Sequence, residues 1–216
     1  MITLDEQIQR IKLQYNEIFY VARDKIEIPL YPKASVLVDF SKYPKKPSFS
    51  LPKPLLKLIP DFEVLLPRYK GWNKQNPPVT VELIIQLKQS IDILSGSKAY
   101  VSEDLLKVLF NVSQSNLPNE IFTLLRLSEG KFVEYVLAPG SEASETSAVF
   151  FPQRLSHDNT LCGTCHSHPS GNFHPSMADL QTFRQKMINI ILAKPFTYQS
   201  IGVYNHLGEP IPFEIQ

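Results

Sequence analysis

Residues His166–Leu180 read HSHPSGNFHPSMADL, and this stretch decides how the C-terminal half of the chain is built. In extended backbone, residues two apart point to one face with Cα atoms about 6.6–6.8 Å apart. His166 and His168 can therefore offer both imidazoles to one metal ion at bonds of about 2.0–2.1 Å. Ser176 follows Pro175 and precedes Asp179 by three residues, an arrangement in which the serine caps a helix and the acid lies in its first turn on the same side. Asp179 is the candidate third ligand. Two histidines and one carboxylate leave a fourth tetrahedral position open, which marks a catalytic zinc site rather than a closed structural one.

Outward from this stretch, LCGTCHSH reads as a strand reaching a loop, and the pattern from Ser176 to about Leu192 reads as a helix. EIFTLLRL and KFVEYVLA flank Ser128-Glu129-Gly130 as a hairpin, SAVFFPQ is a further strand candidate, and Ser102 with Glu103 and Asp104 starts a helix that ends near Ser113. TYQSIGVYN and PIPFEI, joined at Leu207-Gly208, complete a mixed helix and strand pattern. Ser95-Gly96-Ser97 marks a boundary, so residues 98–216 form one module and residues 1–97 another. In the first module Thr3 and Glu6 form a capping-box signature ahead of Leu4, Ile8, Ile11, Tyr15 and Ile18, an amphipathic helix. KIEIPLY and SVLVDF predict a β-meander running into a loop stiffened by Pro44, Pro47, Pro52, Pro54 and Pro60, and a second helix follows from about Thr80 to Leu94. The fold class is α+β in two modules.

Composition narrows the function classes. The 216 residues are 43% hydrophobic and 20% charged, with 22 Lys and Arg against 21 Asp and Glu, a net charge of +1. Charge alone gives no grip on nucleic acid or an anionic membrane, and no apolar run reaches the roughly 18–20 residues of a membrane span. The N-terminus lacks the basic-then-apolar pattern of a signal peptide, so the expectation is a soluble, cytoplasmic protein. Cys162 and Cys165 are the only cysteines. A closed zinc site would need a second pair, so they read as buried small hydrophobes. His157, His174 and His206 have no partner at ligand spacing, although His174 can line the cleft.

The spacing from His166 through His168 and Ser176 to Asp179 resembles the JAMM motif of MPN-plus zinc metalloproteases. The resemblance spans about residues 99–216 and implies an MPN/JAMM α/β domain of cytidine-deaminase-like type. It implies one zinc per chain, held by His166, His168 and Asp179. It also implies hydrolysis of isopeptide or peptide bonds, often at the C-terminus of ubiquitin or a ubiquitin-like modifier. The family's catalytic glutamate stands at the start of an early strand behind a proline, a setting that Pro118-Asn119-Glu120 matches. Spacing alone does not choose Glu120 over Glu134, which also falls in a strand candidate; the family pattern makes the choice. Glu120 would then move the proton of the attacking water to the leaving amine, and Ser176 would donate a hydrogen bond to the developing oxyanion.

The first module resembles the ubiquitin-conjugating-enzyme-like (UBC) fold or its shorter RWD relative, through its element order, Tyr43-Pro44-Lys45-Lys46-Pro47, Trp72 and Pro77-Pro78. It has no His-Pro-Asn segment and no cysteine, so it cannot form a thioester and would bind rather than conjugate. The combined expectation is a cysteine-free adaptor fused to a zinc protease. Its partners would be ubiquitin or ubiquitin-like conjugates and a conjugation-pathway protein. Two other readings stay open: a non-catalytic interaction scaffold, and a JAMM hydrolase acting on a small amide.

Overall fold

Thr3 opens the chain's first helix as its sequence suggests. Its hydroxyl accepts the Glu6 N–H at 3.2 Å while the Glu6 carboxylate accepts the Thr3 N–H at 2.7 Å, closing a capping box on α1 (Leu4–Gln14). The computed structural model describes every residue except Met1, Pro60 and 138–157, and within that last segment it describes only short backbone strands. The chain divides into two compact units, Met1–Ile91 and Asp92–Gln216.

In the first unit α1 buries Ile8 and Ile11 together with Gln7. A buried amide needs partners for both of its ends. Gln7 Nε2 donates to the Pro78 carbonyl at 2.9 Å and its Oε1 accepts the Thr80 N–H at 2.8 Å, tying α1 to the entry of the later helix. Strands β1 (Phe19–Ala22), β2 (Lys25–Tyr31), β3 (Ala34–Asp39) and β4 (Ser48–Ser50) form an antiparallel meander in chain order. β2 alternates strictly and buries Ile26, Ile28 and Leu30, as a sheet with one covered face requires.

The proline-rich stretch is more regular than a stiffened loop. β4 lies between Pro47 and Pro52, and α2 (Lys53–Leu56) begins at Pro52 with a proline in its first turn. Proline breaks helix interiors and central strands, but it suits edge strands and first turns, where its missing N–H has no required partner. α3 (Phe62–Leu65) and α4 (Pro67–Lys70) follow, then α5 (Thr80–Leu94). The Tyr43–Pro47 motif is a packing anchor: Trp72 Nε1 donates to the Pro44 carbonyl at 2.9 Å, Tyr69 to the Pro47 carbonyl at 3.0 Å, and Tyr43 to the Ile2 carbonyl.

The second unit holds β5 (Ala99–Val101), α6 (Glu103–Ser115), β6 (Phe122–Ser128), β7 (Lys131–Leu137), β8 (Glu142–Ala143), β9 (Ala148–Val149), β10 (Leu161–His168), α7 (Met177–Phe183), β11 (Ile188–Ala193), β12 (Ile201–Asn205) and β13 (Phe213–Ile215). Ser102 stands at the N-cap of α6, though its hydroxyl makes no capping bond. β6 and β7 turn through Glu129 and Gly130, both at positive φ, the geometry that matches strand twist in a two-residue hairpin. Of the SAVFFPQ strand candidate, Ala148–Val149 pairs with Glu142–Ala143, and its remaining residues lie outside the described residues.

The helix expected from Ser176 to about Leu192 stops at Phe183. Ile188–Ala193 is instead a strand, buried at all six positions and parallel to β10. A run buried on both faces carries no alternation to separate it from a buried helix, and INIILA is rich in β-branched isoleucine. The resulting seven-stranded sheet has the order β12-β11-β10-β6-β7-β5-β13. β10 lies inside it between parallel β11 and antiparallel β6, with all eight residues buried. No helix among the described residues is long and apolar enough to cross a membrane.

Gly163 shows how tightly β10 packs, because a Cβ there would lie 2.7 Å from Phe132 Cζ and 3.2 Å from Leu125 Cβ. Phe132 is fully buried and has nowhere to go. Gly163→Ala is expected to destabilise the protein by about 1–3 kcal/mol in chemical denaturation, and a second change, Phe132→Leu, to recover part of the loss.

Candidate metal centre

The C-terminal end of β10 brings the two histidines together. His166 and His168 lie two apart on one face, with ring centroids 4.9 Å and Nε2 atoms 3.1 Å apart. The third group comes from α7. The Ser176 hydroxyl accepts the Asp179 N–H at 3.2 Å and the Asp179 carboxylate accepts the Ser176 N–H at 2.6 Å, a capping box that fixes both residues in the first turn. Asp179 Oδ1 then lies 3.1 Å from His166 Nε2 and Oδ2 lies 3.5 Å from His168 Nε2.

The surroundings hold this arrangement. His168 Nδ1 is 2.6 Å from the Asn172 carbonyl, an acceptor, so Nδ1 carries a proton and Nε2 faces the centre, where it bonds Asp179 when protonated and offers a lone pair to a metal when neutral. The next carbonyl, of Phe173, accepts the Tyr204 hydroxyl at 2.9 Å. It also lies so close to Gly202 that a Cβ there would stand 2.7 Å away. His166 is wedged between Phe122 and Phe183, at ring distances of 6.4 and 6.2 Å. None of these supports is legible in the sequence. Asn172 acts through its backbone, and Tyr204 arrives from a distant strand, so neither leaves a local pattern.

Burial opposes the charge of Asp179, yet hydrogen bonds with His166 and His168 outweigh it and hold the carboxyl well below the usual carboxylate range. Burial likewise disfavours protonated His168, but Asp179 and the Asn172 carbonyl raise its pKa overall. Glu120 stands just before β6, half-buried. Burial raises its pKa, and the nearby charges of His168 and His166 offset only part of the rise. Glu134 is exposed and engaged elsewhere, opposite Arg126 on the paired strand, whose Nε donates to it at 2.7 Å. The charges that act on Glu120 are thus those of His168, His166 and Asp179, whereas Glu134 is paired with Arg126.

The remaining candidates separate clearly. Cys162 and Cys165 are buried free thiols, and burial pushes Cys162 up to about 12 and Cys165 higher still. His174 is exposed and stacks on Phe173 at 5.0 Å. The Nδ1 of His206 is buried without a hydrogen-bond partner, and His157 lies outside the described residues.

Residues 102–205 match the family model Prok-JAB, prokaryotic homologs of the JAB domain. A curated protein of Haloferax volcanii, described as a probable metalloprotease, is 29% identical over 119 residues, 50% of this chain and 74% of its own length. These matches support the JAMM/MPN metalloprotease family. Two solved structures are also similar, each over 56% of this chain and 99% of its own, with a TM-score of 0.44. One, 27% identical, is described as JAMM, a metalloprotease-like zinc site in the proteasome and signalosome. The other, 29% identical, is a JAB1/MPN domain protein from Archaeoglobus fulgidus.

The donor set fits the family's zinc. Ligand atoms on a tetrahedron with bonds of about 2.0–2.1 Å stand roughly 3.3–3.4 Å apart. The two Nε2 atoms stand 3.1 Å apart, Asp179 sets one oxygen 3.1 Å from His166 and the other 3.5 Å from His168, and one ligand atom from each residue falls within 4.8 Å of the other two. The set is two imidazoles and one carboxylate with no fourth side chain among the described residues, so a position stays open. Replacing His168 by Ala leaves two ligands, and metal analysis of the purified variant should find zinc well below one per chain. Full occupancy would remove His168 from the ligand set.

Proposed function

We propose that the chain is a zinc-dependent isopeptidase or peptidase that removes or matures ubiquitin or a ubiquitin-like modifier. One observation carries this reading: a half-buried carboxyl, Glu120, stands within electrostatic reach of an open His166, His168 and Asp179 triad. Such a constellation suits hydrolysis of an amide, because a nucleophile and a proton carrier meet at one point.

Zinc held by His166, His168 and Asp179 would supply Lewis acidity to a water molecule and to the scissile carbonyl. Glu120 takes the proton of the attacking water. Its raised pKa makes it a better match for operating pH than an ordinary glutamate, and it returns the proton to the amine nitrogen as the C–N bond breaks. The Ser176 hydroxyl, which accepts the Asp179 N–H and lies against its carboxylate, would turn its proton to the carbonyl oxygen as negative charge builds. Buried, protonated Cys162 and Cys165 take no part.

The first unit, in this proposal, is a UBC/RWD-like adaptor. Its helix, four-stranded antiparallel meander and closing helix support that reading, and the lack of any cysteine in residues 1–97 confines it to binding. It would recruit a modifier conjugate or a conjugation-pathway protein and raise the substrate's local concentration at the zinc unit.

Two measurements test the proposal. Glu120→Gln should keep one zinc per chain while turnover falls about 10²–10⁴-fold, since an amide cannot shuttle a proton. If Glu134→Gln inactivates the protein and Glu120→Gln does not, the base is wrongly assigned. The intact chain should show a lower KM for a folded modifier fusion than for a short peptide copying its tail. Equal KM values would rule out recruitment, and cleavage of neither substrate would rule out the modifier class.

A further inference from the structure

β10 and β6 pair with His166 opposite Phe122, and the pairing runs one residue beyond the end of β6. The Ser167 N–H donates to the Ile121 carbonyl at 3.1 Å. The return bond uses a side chain, because the Ile121 N–H donates to the Ser167 hydroxyl oxygen at 3.0 Å. Ser167 is fully buried and Ile121 nearly so, so neither bond is exchanged freely with water. Ser167 also pairs with Leu192 of β11, which anchors it from the other side.

The position of this clamp gives it a role. Ser167 sits between the two histidines, and Ile121 is joined directly to Glu120. Glu120 stands two residues before Phe122, whose ring stacks on His166. Ile121 is thus the last residue fastened to β10 before the chain reaches Glu120. An apolar side chain at 167 would leave the Ile121 N–H buried without an acceptor, and the segment would shift to find one.

We propose that Ser167 is a positioning residue: through its hydroxyl and its own N–H it clamps Ile121 and so sets where the Glu120 carboxylate stands relative to the histidine pair. This rests on Glu120 being the general base. A shift of about 1 Å at a reacting group lowers rates by about 10²-fold, so the clamp would be felt in kcat rather than in metal or substrate binding.

The test uses the full chain with Ser167→Ala, which deletes the hydroxyl, Ser167→Cys, which keeps the volume but accepts a hydrogen bond weakly, and Ser167→Thr, which restores the acceptor. In Ala and Cys the zinc content should stay at one per chain. Exchange of the Ile121 amide, followed by NMR in the zinc-free protein, should quicken at least about 10-fold. kcat should fall about 10- to 100-fold with KM unchanged, and Thr should recover most of it. Unchanged Ile121 exchange, or normal kcat in both Ala and Cys, would overturn the proposal. So would loss of zinc in both, which would assign Ser167 to holding the histidines. Glu120→Gln assayed alongside separates the two possible failures. If it is inactive while the Ser167 variants work normally, the clamp is wrong; if it is itself active, the base is wrong and the clamp's role falls with it.

Discussion

Two imidazole nitrogens held 3.1 Å apart at the end of a buried strand impose the main constraint on the C-terminal unit. Lone pairs that close repel unless a cation or a proton lies between them, and Asp179 adds a carboxylate against both. The unit invests rigid structure in keeping these groups together. β10 is paired on both sides along its length, His166 is wedged by two phenylalanines, and His168 is steered by a backbone carbonyl. A metal of the right size then meets a site that needs little rearrangement, which favours binding over the same ligands on a loop.

Much of this centre was legible because its parts are local. A strand's period of two aligns His166 with His168, and a capping box spans three residues, so Ser176 and Asp179 announce each other within one turn. The supports could not be read in the same way. Asn172 contributes a carbonyl that every residue has, and Tyr204 reaches Phe173 from 31 positions away. β11 reads as helix in the sequence because strands covered on both faces lose the alternation that identifies edge or half-buried ones. Glu120 lay between, since its residue type and strand-start position were visible but its preference over Glu134 came from the family pattern. The structure adds a physical ground, the engagement of Glu134 by Arg126.

The first unit shows the converse. Its helix caps and meander follow directly from pattern, while the proline-rich segment hid a strand and short helices because proline excludes interiors and not edges. Its fixed points are hydrogen bonds between distant residues, such as Gln7 with Pro78 and Thr80, and Trp72 with Pro44. Propensity does not reveal such pairs.

The two cysteines have a bearing on the metal centre through what they withhold. Cys165 directly precedes His166, yet its thiol is fully buried and firmly protonated, and Cys162 is equally inert. With no other cysteine in the chain, the centre offers only nitrogen and oxygen donors. Such a centre has low appetite for soft ions such as Cu(I), and no thiolate that peroxide or an alkylating agent could remove. Its donor set therefore contains no thiolate to lose, and it stays intact through changes in oxidation that would disable a cysteine-ligated site.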